Sequence, residues 1–304
     1  MNSASVTAVI VSYNSRRQIP AALGSLRSAY ESGIVAECVV VDNHSDDATG
    51  ELVRREHPWC RLLENQENVG FGRACNLGIE RANTPYVLLL NPDATLSELG
   101  LRRLVSFLDT TPAAGVAAPA IREPDGQLQP AGGLLTPSGL LREAVLGVVS
   151  RDRQPIIPGA APFRTSWVCG AVALLRRDML DQLGGFDPRY FLYFEETDLW
   201  RRAQRAGWEL WAVGEAVATH IKAASASSVG RELYFGCLAD HYFRSRFRYL
   251  AAHFGWPAAA GAELLELGLV GLRAVVWTLK GRDLAPLRPR LKAPVLDRPA
   301  RETA

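Results

Sequence analysis

Residues 6–14, VTAVIVSYN, form a run of apolar and β-branched side chains that stops on polar ones, and beyond it Ile19, Leu23, Leu26 and Tyr30 recur at helical spacing. The same step repeats. AECVVVDN (36–43) predicts a second strand, and SDDAT places cap-forming residues ahead of Leu52 and Val53. RLLE (61–64) predicts a third strand, followed by a glycine-containing turn that opens a helix within 68–82. YVLLLN (86–91) predicts a fourth, and SELGLRRLVSFL is helical by its apolar spacing. Near-continuous apolar strands alternating with helices predict a parallel α/β sheet covered on both faces. In such sheets ligands sit beyond the carboxyl ends of the strands, where loops converge and helix amino termini point inward.

From about 120 to 165 the pattern breaks into REPDGQLQPAGG and QPIIPGAAP, whose proline and glycine content predicts a long irregular connection, either mobile or part of an acceptor site. WVCGAVALLRR (167–177) predicts another strand, and WELWAVGEAVATH reads as strand up to His220. From Leu233 onward the pattern is helical, with Leu233 to Phe254 rich in aromatics and arginines and Ala258 to Lys280 mostly apolar. The expected division is 1–225, split into a nucleotide-binding half (1–119) and an acceptor-binding half (120–225), with a helical region over 226–304.

Composition narrows the classes. The 304 residues are 48% hydrophobic and 22% charged, which excludes a disordered or collagenous chain. A formal charge of +2 gives no reason to expect nucleic-acid binding. Cys38, Cys60, Cys75, Cys169 and Cys237 are odd in number and include no C-x-x-C pair, which suits a reducing, cytoplasmic setting. The start, MNSASVTAVIVSYN, has no basic segment and no long apolar core, so no signal peptide is expected. Glu263, Glu266 and Arg273 interrupt the apolar stretch 256–279, which argues against a membrane-spanning helix.

Candidate chemistry collects at the strand ends: Ser12, Tyr13 and Asn14 after the first, Asp42 and Asn43 after the second, Asn68 after the third, Asn91 and Asp93 after the fourth. Together they predict a nucleotide pocket in which Asp42 accepts from a base or ribose donor and Asp93 holds a divalent cation. NVGFGRACN (68–76) has G-x-G without the third glycine of a dinucleotide fingerprint, and it follows the third strand rather than the first. Asn68 and Asn76 bracket this turn. A helix starting near Phe194 would carry Glu196, Leu199, Trp200 and Ala203 on one stripe and Asp198, Arg201, Arg202 and Arg205 on another, so Glu196 is expected to face inward. A carboxylate there is either a dipole-stabilised cap or a general base. For Asp198 the ion pair with Arg201 or Arg202 is the stronger account, and Glu195 is accounted for by first-turn charge compensation. His220 reads as a core histidine, a phosphate contact or a metal ligand, with Lys222 and Arg231 near it to offset a leaving diphosphate.

Taken together, VIVSYNS, VVVDNHSDD, ENVGFGRACNLGI, LLLNPDATL, the long block GAVALLRRDMLDQLGGFDPRYFLYFEETDLWRRAQRAGW and the later His220 resemble family 2 glycosyltransferases of the rhamnosyltransferase-like branch. The resemblance spans roughly residues 6–225. It implies a GT-A fold, a Rossmann-like nucleotide-binding sheet fused to an acceptor-binding region, here with C-terminal helices added. NPD stands where the family has D-x-D, with Asn91 at the first acid and Asp93 at the last. The resemblance implies Mg²⁺ or Mn²⁺ held at Asp93, with His220 a further ligand. It implies a nucleotide-sugar donor, often dTDP-L-rhamnose, contacted by the strand-end set, Asn76, Glu195 and Lys222. The acceptor is a glycan or polyprenyl-diphosphate-linked sugar, and the family's base position falls on Glu196, with Asp198 the alternative. Transfer would invert the anomeric carbon. The apolar tail, with Arg273, Lys280, Arg282, Arg288 and Arg290 near it, reads either as peripheral contact with the inner face of a membrane or as packing, including a homodimer interface.

Rival readings require other features. An NAD-dependent oxidoreductase needs a glycine-rich first turn, absent from VTAVIVSYNS. A non-catalytic sugar-nucleotide-binding protein would be expected to lack Asp93 or the acidic cluster, and a hexosyl or galactofuranosyl transferase would share every motif above.

Overall fold

β1 (Val6–Ser12) is buried along its whole length, as a central strand covered on both faces must be. α1 (Ile19–Glu31) begins with Pro20 in its first turn, where the missing N–H costs nothing, and packs Ile19, Ala22, Leu23, Leu26 and Ala29 inward. β2 (Val35–Asp42), α2 (Thr49–Glu56), β3 (Arg61–Glu64), α3 (Phe71–Ile79) and β4 (Tyr86–Leu90) continue the alternation. β1, β2, β3 and β4 are parallel, and Ser12, Asp42 and Glu64 stand in register at their carboxyl ends. The computed structural model describes residues 5–146, 153–221, 239–285 and 287–293.

The chain then departs from a simple βα repeat through β5 (Ala94–Leu96), α4 (Glu98–Thr110), β6 (Ala114–Arg122), β7 (Pro130–Ala131), α5 (Pro137–Leu146), β8 (Gln154–Pro155), β9 (Phe163–Thr165), β10 (Val172–Arg176), α6 (Arg177–Leu183), α7 (Glu195–Arg205) and β11 (Glu209–His220). The sheet is nine-stranded, in the order β3-β2-β1-β4-β10-β6-β11-β5, with β9 paired to β11. It is therefore mixed where the alternation predicts an all-parallel sheet: β10 runs antiparallel between β4 and β6, and β5 and β9 run antiparallel to β11. Pro119 lies inside β6 beyond the residues that pair with β10, at the point where the ladder to β11 shifts register, so its missing N–H breaks no regular pairing.

Two compact units divide the chain. The first holds the sheet and its helices and comprises residues 1–133, 153–191 and 195–222. The second gathers 134–152, 192–194 and 223–304, so segments that the sequence-based division at 225 assigns to the acceptor-binding half cluster with the C-terminal helices.

That second unit contains α5, α8 (Ala239–Phe254), α9 (Trp256–Leu279) and α10 (Arg288–Lys292). On α9 the usual polarity is reversed: Glu263 is 1% exposed, whereas Leu265, Leu272 and Leu279 are 60%, 63% and 82% exposed. Glu263 and Glu266 are neutralised by Arg246, whose Nε and Nη2 donate to the Glu263 carboxylate at 2.8 and 2.7 Å, and by the buried Arg290, whose Nε donates to Glu266 Oε2 at 2.7 Å. Removing one partner from such a quartet strands a buried charge. Arg290 thus serves the interior of this unit, not a basic surface. Arg273 donates to the Ala144 carbonyl of α5 at 2.8 Å. Among the described residues no helix is long and apolar enough to cross a membrane.

Candidate active site

The carboxyl ends of β1 and β2 build a rigid polar floor. The hydroxyls of Ser12 and Ser45 both donate to Asp42 Oδ1, at 3.1 and 2.5 Å, and fix the buried carboxylate. Asn14 closes this loop from a left-handed backbone (φ 51°), its Oδ1 accepting from the Asp46 N–H at 2.9 Å. Tyr13 between them is 52% exposed, leaving a ring face open at the rim. Asn43 accepts from Asn65 Nδ2 and the Val69 N–H and donates to Asn68 Oδ1 at 2.7 Å, so Asn68 is tied to the end of β2. Gly70 then takes φ +86° with its α-carbon against the Phe191 backbone, a space any β-carbon would fill.

β5 is short but decides the geometry beyond β4. It pairs with β11 in the register His220↔Ala94, and the Ile221 N–H donates to the Asp93 carbonyl at 2.8 Å, which brings Asp93 beside His220 from 127 positions away. His220 Nε2 lies 3.0 Å from Asp93 Oδ1, and its Nδ1 lies 2.9 Å from the side-chain Nε2 of Gln129. Gln129 and His220 are both buried. Sequence reasoning passed over Gln129. The available signal was the Pro-Asp-Gly turn at 124–126, which folds residues 121–129 back on themselves and pairs the Gln129 N–H with the Ile121 carbonyl.

α7 carries the acidic cluster against the segment before β10. Trp200 Nε1 donates to the Val168 carbonyl at 2.9 Å and Trp167 Nε1 to Thr197 Oγ1 at 3.1 Å, fixing the helix against the segment before β10. A β-carbon at Gly170 would stand 3.4 Å from Glu196 Cβ. The next residue, Ala171, accepts from the Asn91 N–H at 2.8 Å, and Val172 pairs with Leu90. Glu196 and Asp93 are thus joined by one short path at the end of β4. Glu195 is buried against Gly72 of α3, with Oε2 lacking a partner among the described residues. Burial pushes both carboxyls up, and the charge of Glu196 raises Glu195 further.

The expected facing of α7 is corrected on one point. Asp198 is buried more deeply than Glu196, because Arg202 Nε donates to Asp198 Oδ2 at 2.7 Å while its other nitrogens donate to the Leu183 and Gly185 carbonyls. Asp198 thereby ties α7 to the glycine turn before Phe186. Asn76 braces the same turn, its amide donating to the Phe186 carbonyl and accepting the Phe186 N–H, each at 2.8 Å. Asn91 is half-buried beside Asp93. Lys222 and Arg231 lie outside the described residues.

Among the described residues no group of three or more His, Cys, Asp or Glu is placed to hold a metal ion. Asp93 and His220 supply one oxygen and one nitrogen on one side of a site, a set that fits Mg²⁺ or Mn²⁺ when diphosphate oxygens and waters complete the sphere. The unpartnered Oε1 of Gln129 behind His220 fits the same reading, since reversal of that amide would set an acceptor against the ring Nδ1–H.

Residues 7–184 match Glycosyl transferase family 2. The chain belongs to that family. This family 2 glycosyltransferase is 32% identical over 296 residues, 90% of its own length and 88% of the relative's, to an N-acetylglucosaminyl-diphospho-decaprenol L-rhamnosyltransferase of Mycobacterium tuberculosis. It is 24% identical over 192 residues, 60% of its length and 70% of the relative's, to the rhamnosyltransferase WbbL of Escherichia coli. Among solved structures it resembles GalNAc-T7 with UDP, GalNAc and Mn²⁺ (TM-score 0.61, 16% identity, 82% of this chain and 48% of that one). It also resembles the mannosyltransferase PcManGT of Pyrobaculum calidifontis with GDP-Man and Mn²⁺ (TM-score 0.51, 20% identity, 94% and 83%). The GT-A fold and glycosyltransferase activity expected from the sequence both stand.

Proposed function

We propose that this glycosyltransferase moves L-rhamnose from dTDP-L-rhamnose to a hydroxyl of a polyprenyl-diphosphate-linked sugar, in the assembly of cell-surface polysaccharide, with inversion at the anomeric carbon. The observations that support the chemistry are Asp93 and His220 at 3.0 Å from one another and Glu196 packed against Gly170, next to the Ala171 carbonyl that holds the Asn91 N–H. The choice of donor and acceptor is supported by the likeness to the mycobacterial rhamnosyltransferase over nine-tenths of the chain.

In this reading Asp42 accepts from the donor's base or ribose, Tyr13 covers the base, and Asn14, Asn43 and Asn68 keep the floor rigid. Asp93 and His220 hold a divalent cation, Mg²⁺ or Mn²⁺, which when bound supplies Lewis-acid stabilisation to the departing diphosphate. Glu196 removes the acceptor hydroxyl proton, the hydroxyl oxygen bonds to the anomeric carbon, and the bond from that carbon to the diphosphate oxygen breaks, its electron pair leaving with dTDP. A carboxyl raised by burial is a stronger base than an ordinary one, which suits this step. Asp198 orients α7 through Arg202.

The exposed leucines of α9 and the exposed Lys280, Arg282, Arg288 and Lys292 that follow in the sequence support peripheral contact with an anionic membrane surface, where a lipid-linked acceptor resides. The experiment is transfer from a panel of dTDP-, UDP- and GDP-sugars to a polyprenyl-diphosphate-GlcNAc acceptor, with Mn²⁺ and with chelator. The expected result is metal-dependent transfer from dTDP-L-rhamnose. Transfer from a hexosyl or galactofuranosyl donor alone would replace the donor while leaving the chemistry.

A further inference from the structure

Gln129 touches His220 from behind, and the chemistry of the two side chains makes that contact a two-state element. As the structure stands, the Gln129 amide nitrogen lies 2.9 Å from His220 Nδ1. A primary amide nitrogen is a donor only, so Nδ1 must accept, and the proton of the neutral ring sits on Nε2, directed at Asp93 Oδ1 3.0 Å away. In that tautomer Nε2 has no lone pair for a cation. The Gln129 carbonyl oxygen meanwhile is buried with no partner among the described residues.

Turning the amide over exchanges its oxygen and nitrogen within the same volume. The oxygen then accepts from Nδ1–H, the ring proton leaves Nε2, and the freed lone pair faces the side occupied by Asp93. One proton is lost at Nε2 and one gained at Nδ1, so the ring stays neutral. Each orientation leaves one amide atom unpartnered, so that cost is similar in both and cancels. The other end of the ring decides the balance: Asp93 alone favours Nε2–H, whereas a cation beside Asp93 favours Nε2 bare.

We propose that Gln129 is a positioning residue of the metal site, holding His220 in place and setting its tautomer by the orientation of its amide, so that amide reversal accompanies metal binding. This rests on the metal reading given under Proposed function. The local backbone suits such a role, because the turn at 124–126 pins the Gln129 N–H to the Ile121 carbonyl at 2.9 Å and so anchors the side chain behind His220.

The test measures Mn²⁺ binding to the full-length protein by electron paramagnetic resonance, with dTDP present and no acceptor. Gln129→Glu presents only acceptor oxygens and is expected to bind Mn²⁺ within about threefold of the native protein. Gln129→Met fills the space without either function and is expected to bind about 10- to 100-fold more weakly, the usual effect of losing such a partner. Nitrogen-15 NMR of histidine-labelled, metal-free protein supplies a second readout. The His220 signal, assigned by its loss in His220→Gln, is expected to show Nε2–H in the native chain and a proton on Nδ1 in Gln129→Glu. Equal Mn²⁺ affinity in Gln129→Met and the native protein, loss of affinity in Gln129→Glu, or an Nδ1–H tautomer in the metal-free native protein would each overturn the proposal. The native tautomer needs no substitution and stays decisive if Gln129→Met does not fold. Absence of Mn²⁺ binding by the native protein would instead remove the metal reading on which the proposal stands.

Discussion

Glu195 and Glu196 are neighbouring carboxyls in one corner of the sheet unit, and burial raises both. Glu195 is pushed the harder of the two, because the charge of Glu196 beside it adds to its burial. A folded pKa above the unfolded value of about 4.3 means that the protonated form is favoured in the fold. The stability Glu195 contributes is therefore complete below about pH 4.3 and is lost as pH rises through its raised folded value. Glu195→Gln, which mimics the neutral form, should unfold at higher denaturant than the native protein at pH 8, with the gap shrinking toward pH 4. A gap independent of pH would show that Glu195 is not the buried neutral acid. At this scale the sequence was readable where a short polar residue closes an apolar run, as at Asp42, Asn43 and Asp93. Gln129 was not, because a lone amide in a proline- and glycine-rich stretch carries no periodicity and its partner lies 91 positions away.

The elements that position the site are those with the weakest patterns. β1 to β4 and their helices announce themselves through continuous apolar runs and helical spacing. β5 is three residues long, and β6 is rich in alanine with Pro119 inside it, so neither stands out, yet β5 is what places Asp93 beside His220. Strand direction is likewise absent from composition: Val172–Arg176 is as apolar as a parallel strand but enters antiparallel to β4. The turn into α3 is the most exacting backbone in the unit. Gly70→Ala adds a β-carbon against Phe191 at a positive φ and should cost at least about 1 kcal/mol, read as a lowered denaturation midpoint with unchanged slope. A midpoint equal to that of the native protein would show that the loop relaxes freely.

For the whole molecule, the buried quartet of Arg246, Glu263, Glu266 and Arg290 explains how α9 carries charge inward and leucine outward, a polarity that interruption of an apolar run by Glu263 and Glu266 does not reveal. The outward leucines should seat on anionic bilayers: sedimentation with phosphatidylglycerol vesicles should exceed that with phosphatidylcholine vesicles, and Leu265→Glu with Leu272→Glu should abolish it. Binding unaffected by the pair would show that this face is not the membrane contact. The central claim is that Asp93, His220 and Glu196 act together in inverting transfer, and kcat/KM against pH with native protein and Glu196→Gln tests it most directly. The account predicts an acid limb above the ordinary carboxylate range and a loss of about 10²- to 10⁴-fold in Glu196→Gln. Near-native activity in that variant, with the acid limb unmoved, would contradict it.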